Sequence, residues 1–149
     1  MPMCMPRLRS CLAVLVLAIS AAACTSVPTQ EMSDARQAIN SARDADAAAY
    51  APRSMDSAER LLDDAERSLK QGRYDVARDE ALEARQAAMK ARDVAVAIAD
   101  ARAAVEEAKA KGGATPSIER LIDEAQTAGQ EGDESRAWEL ATEAKRRLQ

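Results

Sequence analysis

The residues of this 149-residue chain that could do chemistry are two adjacent acid pairs, Asp63-Asp64 and Asp123-Glu124. Glycoside hydrolysis uses paired carboxylates, one to protonate the leaving oxygen and one as base or nucleophile. They therefore define an enzymatic alternative, a peptidoglycan-remodelling enzyme or its direct activator. Against it, neighbouring acids on an amphipathic helix point largely outward, and the sequence has no cleft-forming loops. Histidine is absent, which removes the commonest acid–base group and metal ligand. There is no Gly-rich phosphate loop and no Cys/His metal spacing. The expectation is a protein that is not an enzyme, with no catalytic residue, no metal and no cofactor. Two further features bear on binding. Trp138 is the lone tryptophan; tryptophan concentrates at interface hot spots, but beside an Ala-rich seam it also lids its own core. It is the candidate partner contact. Lys145-Arg146-Arg147 reads either as a basic patch or as a last turn complementing the helix dipole.

The elements that would position these residues are helical throughout. Phe is absent, the aromatic residues are Trp138, Tyr50 and Tyr74, and alanine dominates, so each core position buries little area at about 25 cal/mol per Å². Helix propensity and acid-first i,i+4 pairs must contribute instead. Candidates are Asp56 with Arg60, Asp63 with Arg67, Glu66 with Lys70, Glu107 with Lys111 and Glu143 with Arg147. The longest uninterrupted stretch is 74–111, free of Pro and Gly, with a heptad beat through Ala77, Ala81, Ala84, Ala88, Ala91, Ala95 and Ile98. It predicts a rod of roughly 55 Å. Before it, the pattern predicts a helix from Ser33 as N-cap to Tyr50, a break at Pro52, and a helix over 54–71. After it, Thr115-Pro116 opens a helix to Glu131, and a last helix carries Ala137, Ala141, Ala144 and Leu148.

Laying residues 59–85 over 119–145 at an offset of sixty, without a gap, aligns the turn glycines Gly72 and Gly132 and the run Glu59-Arg60-Leu61 with Glu119-Arg120-Leu121. The chain thus reads as two copies of one hairpin, about 54–92 and 115–149. Two architectures remain open. Either the long helix is shared by two three-helix antiparallel bundles placed end to end, as in spectrin-type repeats, or the short helices fold side by side into one bundle.

The N-terminus carries Arg7 and Arg9 without an acid, then an apolar run of about 13 residues over 11–23, too short to span a bilayer, which takes about 20. With small residues at its end it predicts a secretory signal over 1–23. Of the three cysteines, Cys4 and Cys11 fall inside it, so no disulfide framework is expected. Its last residues, Ala21-Ala22-Ala23-Cys24, resemble the lipobox of bacterial lipoproteins. That resemblance implies that Cys24 is lipidated, with palmitate-type acyl chains, and becomes the first mature residue. Thr25 in place of Asp implies sorting to the periplasmic face of the outer membrane. The rest of 24–32 is expected to be a linker, followed by a helical periplasmic domain over 33–149. Removing the signal takes Arg7 and Arg9 from the 21 bases, leaving 19 against 25 acids and a net charge of −6. A nucleic-acid partner is not expected of so acidic a body. The chain ends in Gln149 rather than the Lys by which the major murein lipoprotein is attached, so covalent wall linkage is not expected either.

Ala38 and Ala42, Tyr50-Ala51-Pro52, Ala58, Leu62, Ala65 and Leu69, then Gly72, Tyr74, Ala77, Ala81 and Ala84, are similar to a bacterial lipoprotein family known as domain of unknown function 4398. The resemblance covers about residues 35–100 and implies a helical envelope lipoprotein without an established activity. A weaker likeness, through residues 70–77, is to tetratricopeptide-type helical hairpins. The period of sixty argues against it, since those repeats recur every 34 residues. The sequence thus leads to an all-α, lipid-anchored protein of the outer membrane acting as a non-catalytic scaffold or adaptor. Its expected partners are the membrane, through the anchor, and an envelope protein, peptidoglycan-associated ones included.

Overall fold

A computed structural model describes residues 26–113 and 116–149. The described chain forms six helices: α1 (Thr29–Asp44), α2 (Ala47–Tyr50), α3 (Pro52–Lys70), α4 (Tyr74–Ala110), α5 (Pro116–Glu131) and α6 (Glu134–Arg146). The all-α expectation holds, and the described residues include no strand. None of these helices is long and apolar enough to cross a membrane.

The long helix α4 organises the molecule. Its heptad residues Ala77, Ala81, Ala84, Ala88, Ala91, Ala95 and Ile98 are all fully buried, and the stripe continues through Ala101 and Val105. With alanine at most of these positions, neighbouring axes can approach at the short end of the usual 8 to 10 Å range. Helices α1 and α3 pack along its N-terminal half, α5 and α6 along its C-terminal half, and α1 touches neither α5 nor α6. Of the two architectures, the shared-helix arrangement is therefore the one observed. The two units nevertheless have one continuous apolar core from Ile39 to Ala144, with a small satellite around Met32, Ala35, Ala65, Ala81 and Ala84 at the N-terminal end.

The repeat extends to the backbone hydrogen bonds. Gly72 and Gly132 both adopt the left-handed conformation, at φ 73° and 88°, where a Cβ is penalised. The amides of Gly72 and Arg73 donate to the carbonyls of Leu69 and Ser68 at 3.0 Å; those of Gly132 and Asp133 donate to Gly129 and Ala128 at 3.0 and 2.8 Å. All four bonds superimpose at the offset of sixty, as helix ends of the Schellman type. The third helix of each unit also corresponds: Met32, Ala35, Ile39 and Ala42 are buried on α1, and Ala91, Val94, Ile98 and Ala101, with the same spacing, on α4.

Three expectations need correction. Residues 29–32, expected to belong to the linker, are helical, and Met32 is buried. Helix α1 starts behind Pro28, whose carbonyl accepts from the Met32 amide at 3.1 Å and whose ring supplies a preset φ, so Ser33 lies inside the helix and is not its cap. Second, the helix expected over 33–50 is broken: Asp46 takes a left-handed φ of 57°, a conformation Asp tolerates better than most residues, and α2 leaves the line of α1. Third, Pro52 starts α3 and does not merely interrupt the chain, the first helical position being where proline is best accepted. Thr115, expected as the cap of α5, lies outside the described residues, as do the signal over 1–23 and Cys24.

Charge pairing follows sequence distance only in part. Glu107–Lys111 and Glu143–Arg147 form as expected, at 2.6 and 2.7 Å. Arg67 turns to Asp64, and Glu66 reaches Arg36 of α1 at 2.9 Å.

Candidate functional site

The C-terminal hairpin begins with a cap. The Asp133 carboxylate accepts from the Arg136 amide at 3.1 Å, satisfying one of the free donors at the start of α6. From there Ala137, Ala141 and Ala144 face the core with no exposed surface. Trp138, one residue and so about 100° further round the helix, stands at the lip of the seam and not in it. It is 49% exposed. Its own carbonyl accepts from the Thr142 hydroxyl at 2.8 Å.

Two open hollows flank the indole. One, of about 400 Å³, is lined by Lys90, Asp93 and Val94 of α4 and by Glu134, Ser135 and Glu139 of α6. The other, of about 440 Å³, is lined by Arg92, Val96, Ala97 and Asp100 of α4 and by Thr142 and Lys145 of α6. Val96 is itself 44% exposed, so Trp138 and Val96 give this face two large exposed apolar side chains. The charges around them largely neutralise one another: Arg92 pairs with Asp93 at 2.7 Å and Lys145 with Asp100 at 2.8 Å. An aromatic anchor with a polar rim is the usual composition of a protein-binding patch.

Glu134 fixes the base of this face. It is only 5% exposed; its Oε1 accepts from the Ser54 hydroxyl at 2.6 Å, and its Oε2 pairs with the Lys90 ammonium at 3.0 Å. Burial by itself would raise its pKa, but the Ser54 hydroxyl, the Lys90 charge and backbone donation outweigh that and hold the carboxyl below its ordinary value. Three elements meet at this one carboxylate: the start of α3, the middle of α4 and the start of α6.

A second set of contacts lies beside it. The Arg102 guanidinium stacks 5.4 Å from the centre of the Tyr50 ring, donates to the Tyr50 hydroxyl at 2.9 Å and also reaches Gln126 of α5. Gln130 donates to the Ala49 carbonyl at 3.3 Å. At Gly129 the backbone of α5 lies against α2, and a methyl group there would run into the Tyr50 carbonyl oxygen. The short helix α2 is thus the joint between the units.

The two acid pairs are not brought together. Asp63 is exposed in a hollow between α1 and α3, whereas Asp123 and Glu124 are exposed in another hollow on the C-terminal hairpin. Asp64 is engaged by Arg67. The three bases near the C-terminus are also engaged, Lys145 with Asp100 and both Arg146 and Arg147 with Glu143. Hydrogen bonds from Arg146 and Arg147, and then their charge, lower the pKa of Glu143, and the three bases do not form a free patch. Among the described residues no group of three or more acidic, Cys or His side chains could hold a metal ion.

The joint and its buried carboxylate were not apparent from the sequence pattern. A glycine inside α5 at position 129 and an acid directly after a cap residue were the available signals, and neither says which distant element it meets.

No curated protein and no solved structure matches the chain. A family model does match, over residues 30–112, which takes in α1 to α4, including the joint residues Tyr50, Ala51 and Pro52; Trp138 and the C-terminal hairpin lie beyond it. Since that span is more than half of the chain, the protein belongs to the family described as domain of unknown function DUF4398.

Proposed function

We propose that the protein is a non-catalytic lipoprotein of the periplasmic face of the outer membrane, whose helical body is a scaffold or adaptor for an envelope protein. The observation that carries the adaptor role is the half-exposed Trp138. Its counterpart in the first unit, Arg78, is engaged by Glu31 of α1 at 2.9 Å, while among the described residues nothing covers the indole to the same degree. The lipid anchor is supported by Ala21-Ala22-Ala23-Cys24 behind a basic, then apolar, N-terminus, and the outer-membrane destination by Thr25. Acid pairs that line separate hollows do not favour hydrolysis of a single glycosidic bond between two carboxylates.

Two measurements test this reading. Metabolic labelling with a fatty acid should mark the protein and not the Cys24→Ser variant; label retained by the variant rules out the anchor. A photocrosslinking residue placed at Trp138 in envelope membranes should give a discrete adduct that the same residue at Asp63, on the exposed side of α3, does not. Equal adducts at both sites, or none at 138, would remove the adaptor face.

A further inference from the structure

The start of the described chain is held against the helical body. The Arg78 guanidinium donates to the Ser26 carbonyl oxygen at 2.8 Å and to the Glu31 carboxylate at 2.9 Å, and it reaches Asp75 at 3.1 Å. Pro28 is buried. Ser26 is thereby fixed to the first turns of α4, at the end of the rod formed by the Gly72 turn. Cys24 lies only two positions upstream, a reach of at most about 7 Å even fully extended. Val27 and Val76, each within two residues of the Ser26–Arg78 bond, are 46% and 39% exposed.

We infer that this end of the rod is a lipid-contacting surface, seated on the headgroups of the bilayer that holds Cys24, with the Arg78 clamp replacing a flexible tether. The inference rests on the proposed lipidation of Cys24. A leash of two residues leaves no room for another protein between anchor and rod, so the occupant of this end is lipid. A body of net charge −6 is repelled by anionic headgroups, which favours the rod standing on its end over lying along the surface. The Trp138 face is then held at a set height. From Val76 to Val96 is twenty helical residues, or about 30 Å at about 1.5 Å each.

The test uses acylated, mature protein in vesicles of phosphatidylethanolamine and phosphatidylglycerol, with acylation verified by mass spectrometry. Once Cys24 carries lipid, a single introduced thiol can take a polarity-sensitive dye. With Val76→Cys the emission should move to the blue on vesicles relative to detergent-free soluble protein starting at Thr25. With Val96→Cys it should not move. Inserting ten Gly/Ser residues between Thr25 and Ser26, which leaves every helix intact, should remove most of the shift at position 76. An unshifted dye at 76 on fully acylated protein overturns the lipid seat while leaving the anchor standing. So does an insertion without effect, and an equal shift at 96 shows a rod lying flat. Absence of acyl chains overturns the anchor and the seat together.

Discussion

The two halves of the molecule are the same hairpin completed by different third helices. In the N-terminal half the third helix, α1, is a separate segment, and it is tied in by ion pairs on several sides: Glu31 with Arg78, Arg36 with Glu66, and Arg43 with Glu59 at 2.7 Å. In the C-terminal half the third helix is the continuation of α4, already positioned by the chain itself. Lys145–Asp100 and Lys109–Glu119, at 2.8 and 2.7 Å, tie it to α6 and α5. Covalent continuity positions that helix in addition to these pairs, which leaves the position equivalent to Arg78 without a clamping task. Trp138 stands at that position. The comparison teaches that a repeat can keep its turns and its seam while one surface position changes role, because only the seam and the turns are needed for the hairpin itself.

The most disruptive way to break this relation is Ala91→Pro. It removes a backbone hydrogen bond and clashes one turn earlier, costing about 3 kcal/mol or more, at a fully buried position between the two units. In the soluble protein starting at Thr25, circular dichroism should show a sharply lower melting temperature and two separate transitions in place of one. A small shift with a single unchanged transition would mean that helix continuity does not couple the units.

Gly129→Ala should have the next largest effect, because the added methyl meets the backbone of Tyr50 and one helix must move. Overpacking of this kind costs about 1 to 3 kcal/mol. The equivalent Leu69 of the first repeat carries a large side chain and lies in neither core cluster, so the close approach at Gly129 has no counterpart there. The prediction is that Gly129→Ala weakens protection of α2 and of the C-terminal end of α5 in hydrogen exchange, while the Gly72 turn keeps its own protection. Uniform loss, or none, would contradict a localised joint.

The smallest expected effect concerns Glu134. Its pKa is lower in the folded protein than the ordinary 4.5, so the unfolded chain binds more protons as the medium is acidified. The stabilisation it contributes is fully present above pH about 4.5 and is lost as pH falls through the lower folded value. Lys90 is half exposed, which discounts the pair, and the whole contribution should be about 1 kcal/mol, mostly from its hydrogen bonds. Glu134→Gln should lower stability by about that amount at pH 7 and flatten part of the acid-induced decline. Glu31, lowered by backbone donation and then by Arg78, and Glu107 and Glu143, lowered by hydrogen bonds from Lys111 and from Arg146 and Arg147, contribute to the same decline. An unaltered pH profile in the variant would show that Glu134 does not report on the joint.

The sequence by itself determined the all-helical class, the long helix, its buried alanine ladder and the pair of equivalent turns. These are set by local rules: the 3.6-residue period, the positions of Pro and Gly, and the offset of sixty are all read within a few turns of chain. It also placed Trp138 next to the seam. Tertiary structure alone decided that the indole lies half outside, that the bundles stand end to end, and that Ser54, Lys90 and Glu134 share one buried contact although up to eighty residues separate them. It decided as well that Asp46 would break the first helix and send Tyr50 under Arg102 and against Gly129. Each of these depends on which faces of distant helices meet, and spacing along an alanine-rich chain leaves that choice open, because alanine fits equally well against many neighbours.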